Sequence, residues 1–210
     1  MQGVDASTMN PESLYPDQTI RVSIPERGEG IQTRRLYLRP LEITDAGDIF
    51  EYRSQQDVAN WLRPSIPHKD VRETEAHILK KQFTTPDASG NLGRQFTYAV
   101  IRADDPTHKV VGTVGINALI PAPSIGYGLH PDLWGSGYAS EAVAAVVGAW
   151  WKLPRVESVS AEPEKLFAAC DKRNLRSMRV LQKCGFVIYE EKVLDGDTMA
   201  ALCVLSRPRG

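Results

Sequence analysis

Residues 125–151, IGYGLHPDLWGSGYASEAVAAVVGAWW, decide the fold of this chain. A short strand-like segment leads into a loop with two glycines, and an apolar run of helical length follows. The loop WGSGYA, residues 134–139, opens directly into the predicted helix. At such a junction several backbone N–H groups lack partners and point to one spot, where the helix dipole adds partial positive charge. The pattern therefore predicts an anion site built from backbone, suited to a ligand that carries phosphates.

The glycine loop differs from the two nucleotide motifs that it most nearly matches. It lacks the Gly-Lys-Ser/Thr ending of a P-loop, and it lacks the three-glycine spacing of a dinucleotide-binding fold. By itself, Gly-x-Gly before a helix fits an ordinary turn and helix start equally well. A second motif downstream, DKRNLRSMRVLQKCGF at residues 171–186, favours the functional interpretation.

Together the two motifs resemble the GCN5-related N-acetyltransferase (GNAT) family, specifically its branch of ribosomal-protein N-terminal acetyltransferases. The family's loop has the form Arg/Gln-x-x-Gly-x-Gly/Ala, and Gly137 and Ala139 fall on its last two marked positions. Trp134 stands where Arg or Gln is common, a departure that this branch tolerates. The resemblance covers residues 33–206 and is specific in the second half, whereas the first half matches only in layout.

The resemblance implies an α/β (α+β) GNAT fold. Its centre is a mixed, mostly antiparallel sheet of about seven strands, flanked by helices and containing a splayed parallel strand pair. We expect a single domain at residues 31–206 and a tail at residues 207–210. Residues 1–30 are rich in Pro, Gly, Ser, Asp and Glu, and we expect them to form an extension that is mobile or covers the domain loosely.

Hydrophobic periodicity predicts the individual strands and helices. The strand before the glycine loop, residues 124–130, and a strand at 155–161 are expected to be parallel, because the helix between them is a crossover. In the helix at 70–83, inward positions are Val71, Ile78, Leu79 and Phe83. The remaining predicted strands are 33–41, 95–102, 109–119, 186–193 and 199–205, and the remaining helices are 45–54, 57–62, 138–152 and 174–183.

The resemblance further implies acetyl-CoA as acetyl donor and a primary amine as acceptor, with direct attack in a ternary complex. The pantetheine arm would add like a strand to the open edge of the strand at 124–130. The diphosphate would lie on the loop amides, and a Cβ at Gly137 would crowd it. Gly137 could also be needed for a positive φ, and the two explanations are compatible. No metal is implied. The expected cofactor-binding residues are Leu129, His130, Trp134, Gly135, Ser136, Gly137, Tyr138, Ala139 and Asn174.

Asn174 and Ser177 lie three residues apart on a predicted helix and share a face. The resemblance places Asn174 against the pantetheine, and Ser177 where this branch protonates the departing CoA thiolate. A serine hydroxyl is a poor acid, so it would donate a hydrogen bond or relay a proton through water. The simpler alternative is that Asn174 is an N-cap and Ser177 a first-turn residue. For Glu141, in the first turn of the preceding helix, a favourable interaction with the dipole is sufficient explanation.

The attacking amine, with a pKa of about 8–10, must lose a proton to a base or a water chain. The candidates are Glu162, His130, and Tyr127 acting through water. A solvated strand end is a commoner interpretation of Glu162 than a catalytic role. A surface turn is likewise the commoner interpretation of His130. The acetyl oxygen is expected to accept from backbone N–H groups near Tyr127 or Gly128.

Composition narrows the class of protein. A net charge of −1 gives no reason to expect nucleic acid, and the longest apolar stretch, residues 142–151, is too short for a membrane span. The three cysteines lack metal-like spacing and no secretory signal is seen, so we expect a reduced, cytoplasmic protein, monomeric or homodimeric.

Three functions compete at this point. The first is acetylation of a protein N-terminus, the second is the same chemistry on a small amine such as a polyamine, amino acid or aminoglycoside, and the third is a non-catalytic acyl-CoA binding module. An acidic acceptor groove would favour polyamines or aminoglycosides, and a flat open groove would favour a peptide. The sequence shows neither.

Overall fold

A computed structural model describes residues 14–156, 163–194 and 198–208. Its strands are β1 (Ile31–Gln32), β2 (Leu36–Pro40), β3 (Phe96–Arg102), β4 (Val110–Ala118), β5 (Ser124–Leu129), β6 (Lys165–Asp171), β7 (Val187–Val193) and β8 (Met199–Ser206). Its α-helices are α1 (Ala46–Arg53), α2 (Gln56–Ala59), α3 (Val71–Leu79), α4 (Tyr138–Lys152) and α5 (Leu175–Lys183). None of these helices is long and apolar enough to cross a membrane.

The described strands form one sheet in the order β1-β2-β3-β4-β5-β6-β8-β7. All neighbours are antiparallel except β5 and β6, which are parallel. The predicted mixed, mostly antiparallel sheet with one parallel pair is confirmed, with eight strands. In the described part of the chain the parallel register consists of Ser124 opposite Phe167. Beyond that pair β5 and β6 diverge, which opens a gap between the carboxyl ends of the two strands.

The predicted parallel partner at residues 155–161 is wrong, because β6 at Lys165–Asp171 takes that place. Arg155 instead forms an isolated antiparallel bridge with Val22, and residues 157–162 lie outside the described residues. The sequence of β6, KLFAACD, does not alternate in polarity. Leu166, Phe167 and Ala168 are all buried, since β6 is a central strand with both faces covered, and such a strand lacks the period-two signal.

The two faces of the sheet carry separate apolar clusters. Alternate residues of β3 divide between them: Phe96, Tyr98 and Val100 pack on one side, while Ala99 and Ile101 pack on the other. The first side is covered by α4, through buried residues that include Val143, Val146 and Trp150. The second is covered by α1 and α3, through Ile49, Tyr52 and Ile78.

The helix predicted at 70–83 is shorter than expected, since α3 ends at Leu79. Its buried positions are Thr74 and Ile78, whereas Val71 and Leu79 are 37% and 59% exposed. Phe83 is buried but lies beyond the helix, where its N–H donates to the carbonyl of Arg94 at 2.7 Å. That bond draws the chain away from the helix axis toward β3.

Part of the N-terminal extension belongs to the packed core. Val22 and Ile24 are 1% and 2% exposed, and the N–H of Ile24 donates to the Asp87 carboxylate at 2.8 Å. The described residues 14–30 are therefore not a loose cover, although their polar composition suggests one. Residues 1–13 lie outside the described residues.

Deletion of residues 1–30 is expected to lower the free energy of unfolding by about 3–6 kcal/mol, because burying a Val or Ile side chain contributes about 1.5–3 kcal/mol. Denaturant titration of the truncated and full chains measures the difference. Ile24→Ala should reproduce a large part of the loss, and Ile66→Ala, at a position that is 60% exposed, serves as its matched control. An unchanged midpoint in the truncated chain would contradict the prediction.

Candidate cofactor and catalytic site

The glycine loop requires glycine for its backbone conformation. Gly135 and Gly137 have φ of +78° and +83°, in the left-handed region that glycine adopts at little cost. A Cβ at Gly135 would meet nothing within 4 Å, and one at Gly137 would meet only Arg35 Nη2 at 3.4 Å, so the space over the loop is open. Gly137 is the N-cap of α4 and supplies no side chain to its first-turn N–H groups. The loop therefore presents the start of α4 as a backbone anion site.

Glu141, in the first turn of α4, anchors this loop to the segment between β1 and β2. Its carboxylate accepts hydrogen bonds from Arg35 N at 2.8 Å, from Arg35 Nε at 2.7 Å and from Thr33 Oγ1 at 2.7 Å. The guanidinium of Arg35 also donates to the carbonyl of Ser136 at 2.9 Å and lies 4.2 Å from the ring centroid of Tyr138. Burial acts to raise the pKa of Glu141, but these hydrogen bonds outweigh it, so the pKa lies below its ordinary value. The interaction with the helix dipole is thus only part of the role of Glu141.

The gap between β5 and β6 exposes backbone hydrogen-bonding groups. The N–H of Phe167 donates to the carbonyl of Pro123 at 2.9 Å, so the backbone groups of Pro123 point toward β6. Because direction alternates along a strand, the N–H groups of Tyr127 and Leu129 point the same way, into the gap where β6 has diverged. The carbonyl of Leu129 accepts from Trp134 Nε1 at 2.9 Å.

Trp134 connects the two sides of the gap. Its indole N–H binds the end of β5, and the guanidinium of Arg176 in α5 lies 5.3 Å from its ring centroid. The indole hydrogen bond and this cation–π contact hold the Trp134 ring between the two elements. The structure therefore gives Trp134 a supporting position between β5 and α5.

Tyr127 and Ser177 form a hydroxyl pair across the gap. Their Oη and Oγ atoms are 2.7 Å apart, and Tyr127 Oη also donates to the carbonyl of Ser177 at 3.1 Å. Burial raises the pKa of Tyr127 well above its ordinary value, despite the hydrogen bond from Ser177. Tyr127 is therefore a neutral phenol near neutral pH and can donate a hydrogen bond, and its role as a base acting through water stays a prediction.

Asn174 is the N-cap of α5, as the simpler alternative held. Its Oδ1 accepts from the N–H of Ser177 at 3.0 Å, which fixes the first turn and with it the Ser177 side chain. The amide Nδ2 has no hydrogen-bond partner among the described residues. Capping and contact with a ligand are thus compatible for Asn174.

The structure favours none of the predicted bases. His130 lies at the end of β5, where Nδ1 accepts from the N–H of Asp132 at 3.3 Å and Nε2 lies 3.4 Å from Gln55 Nε2. It thus caps the turn at Pro131–Leu133. Glu162 lies outside the described residues.

The remaining predicted residues converge on one place. The glycine loop, the open edge of β5 and the Asn174–Ser177 turn all border the gap between β5 and β6. Two surface cavities, of about 180 and 120 Å³, lie elsewhere, the larger one between residues 16–21 and the start of β6. The candidate site is the gap between β5 and β6 itself. Among the described residues no group of three or more His, Cys, Asp or Glu side chains is placed to hold a metal ion.

Comparisons with known proteins agree with this geometry. Residues 35–187 match the family described as "Acetyltransferase (GNAT) domain". "Uncharacterized N-acetyltransferase p20" of Bacillus licheniformis is 31% identical over 164 residues, covering 75% of this chain and 82% of that protein. A solved GNAT-family acetyltransferase from Bacillus anthracis has a TM-score of 0.65 at 21% identity, covering 85% of this chain and 99% of its own. RimL, a ribosomal L7/L12 alpha-N-protein acetyltransferase in complex with coenzyme A, has a TM-score of 0.65 at 17% identity, covering 85% and 98%.

Proposed function

The chain belongs to the GNAT acetyltransferase family, and from that premise we propose that it transfers the acetyl group of acetyl-CoA to a primary amine in a ternary complex. The observation that carries this proposal is the position of the Tyr127–Ser177 hydroxyl pair, with 2.7 Å between its oxygens, at the splayed β5–β6 gap. A thioester laid along β5 would meet this pair at its sulfur.

The residues that border the gap fit acetyl-CoA part by part. The amides of the pantetheine arm would pair with the carbonyl of Tyr127 and the N–H of Leu129, as an added strand does. The diphosphate would accept hydrogen bonds from the N–H groups of residues 135–139, at the positive end of α4. The free Nδ2 of Asn174 would donate to the pantetheine from α5. Each of these contacts uses a backbone or side-chain group that has no hydrogen-bond partner in the described part of the chain.

The reaction uses the gap as follows. The amine nitrogen attacks the thioester carbonyl carbon, a C–N bond forms and negative charge develops on the oxygen. The N–H of Tyr127 faces the gap and would stabilise that charge, whereas the N–H of Gly128 points toward β4; one such donor is worth about a hundredfold or more in kcat. The C–S bond then breaks, and Ser177, backed by Tyr127, donates a hydrogen bond or relays a proton to the thiolate. Water, His130 or Glu162 receives the proton of the amine.

For the acceptor we propose an α-amino group at a protein N-terminus. The motif at residues 134–142 supports this branch, and RimL is named as an alpha-N-protein acetyltransferase. The alternatives are a small amine, such as a polyamine, amino acid or aminoglycoside, and a non-catalytic acyl-CoA binding module.

Release of CoA thiol from acetyl-CoA, measured across short peptides and small amines, tests the proposal. We expect thiol release with peptides, and mass spectrometry of the product should show one acetyl group on the N-terminal nitrogen. Calorimetric binding of CoA is the parallel measurement. Binding without thiol release on any amine would favour the acyl-CoA binding module, and absence of binding would overturn the proposal.

A further inference from the structure

A cluster of basic side chains lies on the α1–α3 face of the sheet, apart from the glycine loop. Arg53 ends α1, and its Nε lies 3.0 Å from His68 Nε2. The rings of His68 and His77 are in edge contact at 5.6 Å, with His77 on α3. Just beyond α3, Lys81 Nζ donates to Asn117 Oδ1 at 2.9 Å. We refer to Arg53, His68, His77 and Lys81 as the basic cluster.

The basic cluster lacks a carboxylate partner for its strongest cations. Neither Arg53 nor Lys81 has an Asp or Glu oxygen within 4.0 Å in the described part of the chain, although both side chains are partly buried. Burial, together with Arg53, lowers the pKa of Lys81 to about 8, and burial followed by Lys81 lowers that of His77 to about 2. Partly buried cations are normally paired with a carboxylate, so a set that has none is suited to an anion from outside.

The basic cluster lies beside β5, the strand where the acetyl group is expected. The amide of Asn117 fills the space into which a side chain at Gly126 would project. Gly128 faces the same side, and a Cβ there would meet only Tyr52 Cε2, at 3.9 Å. Gly128 leaves the surface of β5 bare next to Tyr127, whereas at Gly126 the Asn117 amide, which Lys81 binds, covers the strand. A molecule lying over Gly128 would have its reacting end at the gap and its neighbouring atoms near the Asn117 amide and Lys81.

We propose that the acceptor carries a carboxylate close to its primary amine, and that Lys81 and Arg53 bind that carboxylate. This inference rests on the proposed function and narrows its acceptor. Such an acceptor differs from polyamines and aminoglycosides, whose additional positive charges the basic cluster would repel. A carboxylate near an amine comes from two sources, a free amino acid or an acidic residue close to a peptide N-terminus.

Matched acceptors test the proposal. A pair of peptides differing only by Asp or Asn at the second position covers one source, and an amino acid with its carboxamide covers the other. We expect kcat/KM to be at least about tenfold higher for the acidic member of one pair, and the pair that shows the preference identifies the source. In Lys81→Met the ratio should fall toward one, while Lys81→Arg should keep most of it. Lys152→Met removes the same charge from the exposed far end of α4, and its ratio should equal that of the wild type.

The pH dependence provides an independent readout on the peptide pair. The charged and titratable groups around Lys81 are Arg53, His68, His77 and Lys80, with Glu73 near His68. Because the pKa of Lys81 is lowered to about 8, its positive charge is present below that pH and is lost above it. The Asp/Asn ratio should therefore decline as pH rises through about 8, and a ratio independent of pH would count against Lys81.

The inference can fail separately from the proposed function. If no acceptor releases thiol, the proposed function fails, and binding of the N-acetylated Asp and Asn peptides by calorimetry in the presence of CoA then decides the inference alone. Tighter binding of the Asp product, reduced in Arg53→Gln or Lys81→Met, supports it. A wild-type ratio near one for both pairs, or equal binding of the two products, overturns it, whatever the variants do.

Discussion

Gly137→Val is expected to weaken acetyl-CoA binding about five- to thirtyfold while the protein stays folded. The φ of Gly137 is +83°, and an L-residue held in the left-handed region costs about 1–2 kcal/mol, more for a β-branched side chain. The variant loop relieves that strain by turning away from its present path, because its surroundings are open apart from Arg35. Cofactor binding must then restore the conformation, so the strain is subtracted from the binding free energy. Calorimetric titration with CoA measures the loss.

Two further variants separate the causes of this loss. Gly148→Ala lies within α4 and has no neighbour within 4 Å of the added Cβ, so it should leave CoA affinity unchanged and stabilise the helix by about 0.5–1 kcal/mol. Gly137→Asn tolerates positive φ, so retained affinity there would identify backbone strain as the cause, and lost affinity would identify crowding of the diphosphate. Wild-type CoA affinity in folded Gly137→Val would show that the loop does not hold the cofactor.

Ser177→Ala is expected to lower kcat about ten- to a hundredfold with little change in the KM for acetyl-CoA. A hydrogen bond to charge that develops on sulfur acts mainly in the transition state, and a bond to a charged group contributes about 1.5–3 kcal/mol. Tyr127→Phe should lower kcat as well, because Tyr127 Oη holds Ser177 Oγ at 2.7 Å. The double variant should be little worse than Ser177→Ala, since both substitutions remove one network.

Steady-state kinetics on an accepted amine, with chemistry shown to limit the rate, measures these effects. Tyr37→Phe removes a phenolic hydroxyl from β2, near the opposite edge of the sheet, and should leave kcat unchanged. Asn174→Ala should instead weaken CoA binding and also destabilise α5, because it removes the cap as well as the amide. If Ser177→Ala turns over at the wild-type rate, the thiolate is protonated by water or by another group, and Ser177 is only a helix residue.

The sequence by itself determined the features that depend on near neighbours along the chain. The glycine loop, α4 behind it and the Asn174 cap of α5 all lie where local pattern predicts them. In each case the interacting groups are within a few residues of one another, so residue type and spacing are sufficient. The same locality explains why the motif at residues 171–186 could be recognised without a structure.

Only the tertiary structure decided which distant segments meet. The bond between Arg35 and Glu141 joins residues 106 apart, and the Tyr127–Ser177 pair joins residues 50 apart. Both depend on the order of strands in the sheet, and the predicted parallel partner of β5 was wrong, because a strand buried on both faces, such as β6, carries no alternation. The basic cluster likewise could not be predicted from the sequence, because each of its members resembles a solvated surface residue there. That Arg53 and Lys81 lack a carboxylate partner in the described part of the chain became apparent only when folding brought α1, α3 and β4 together.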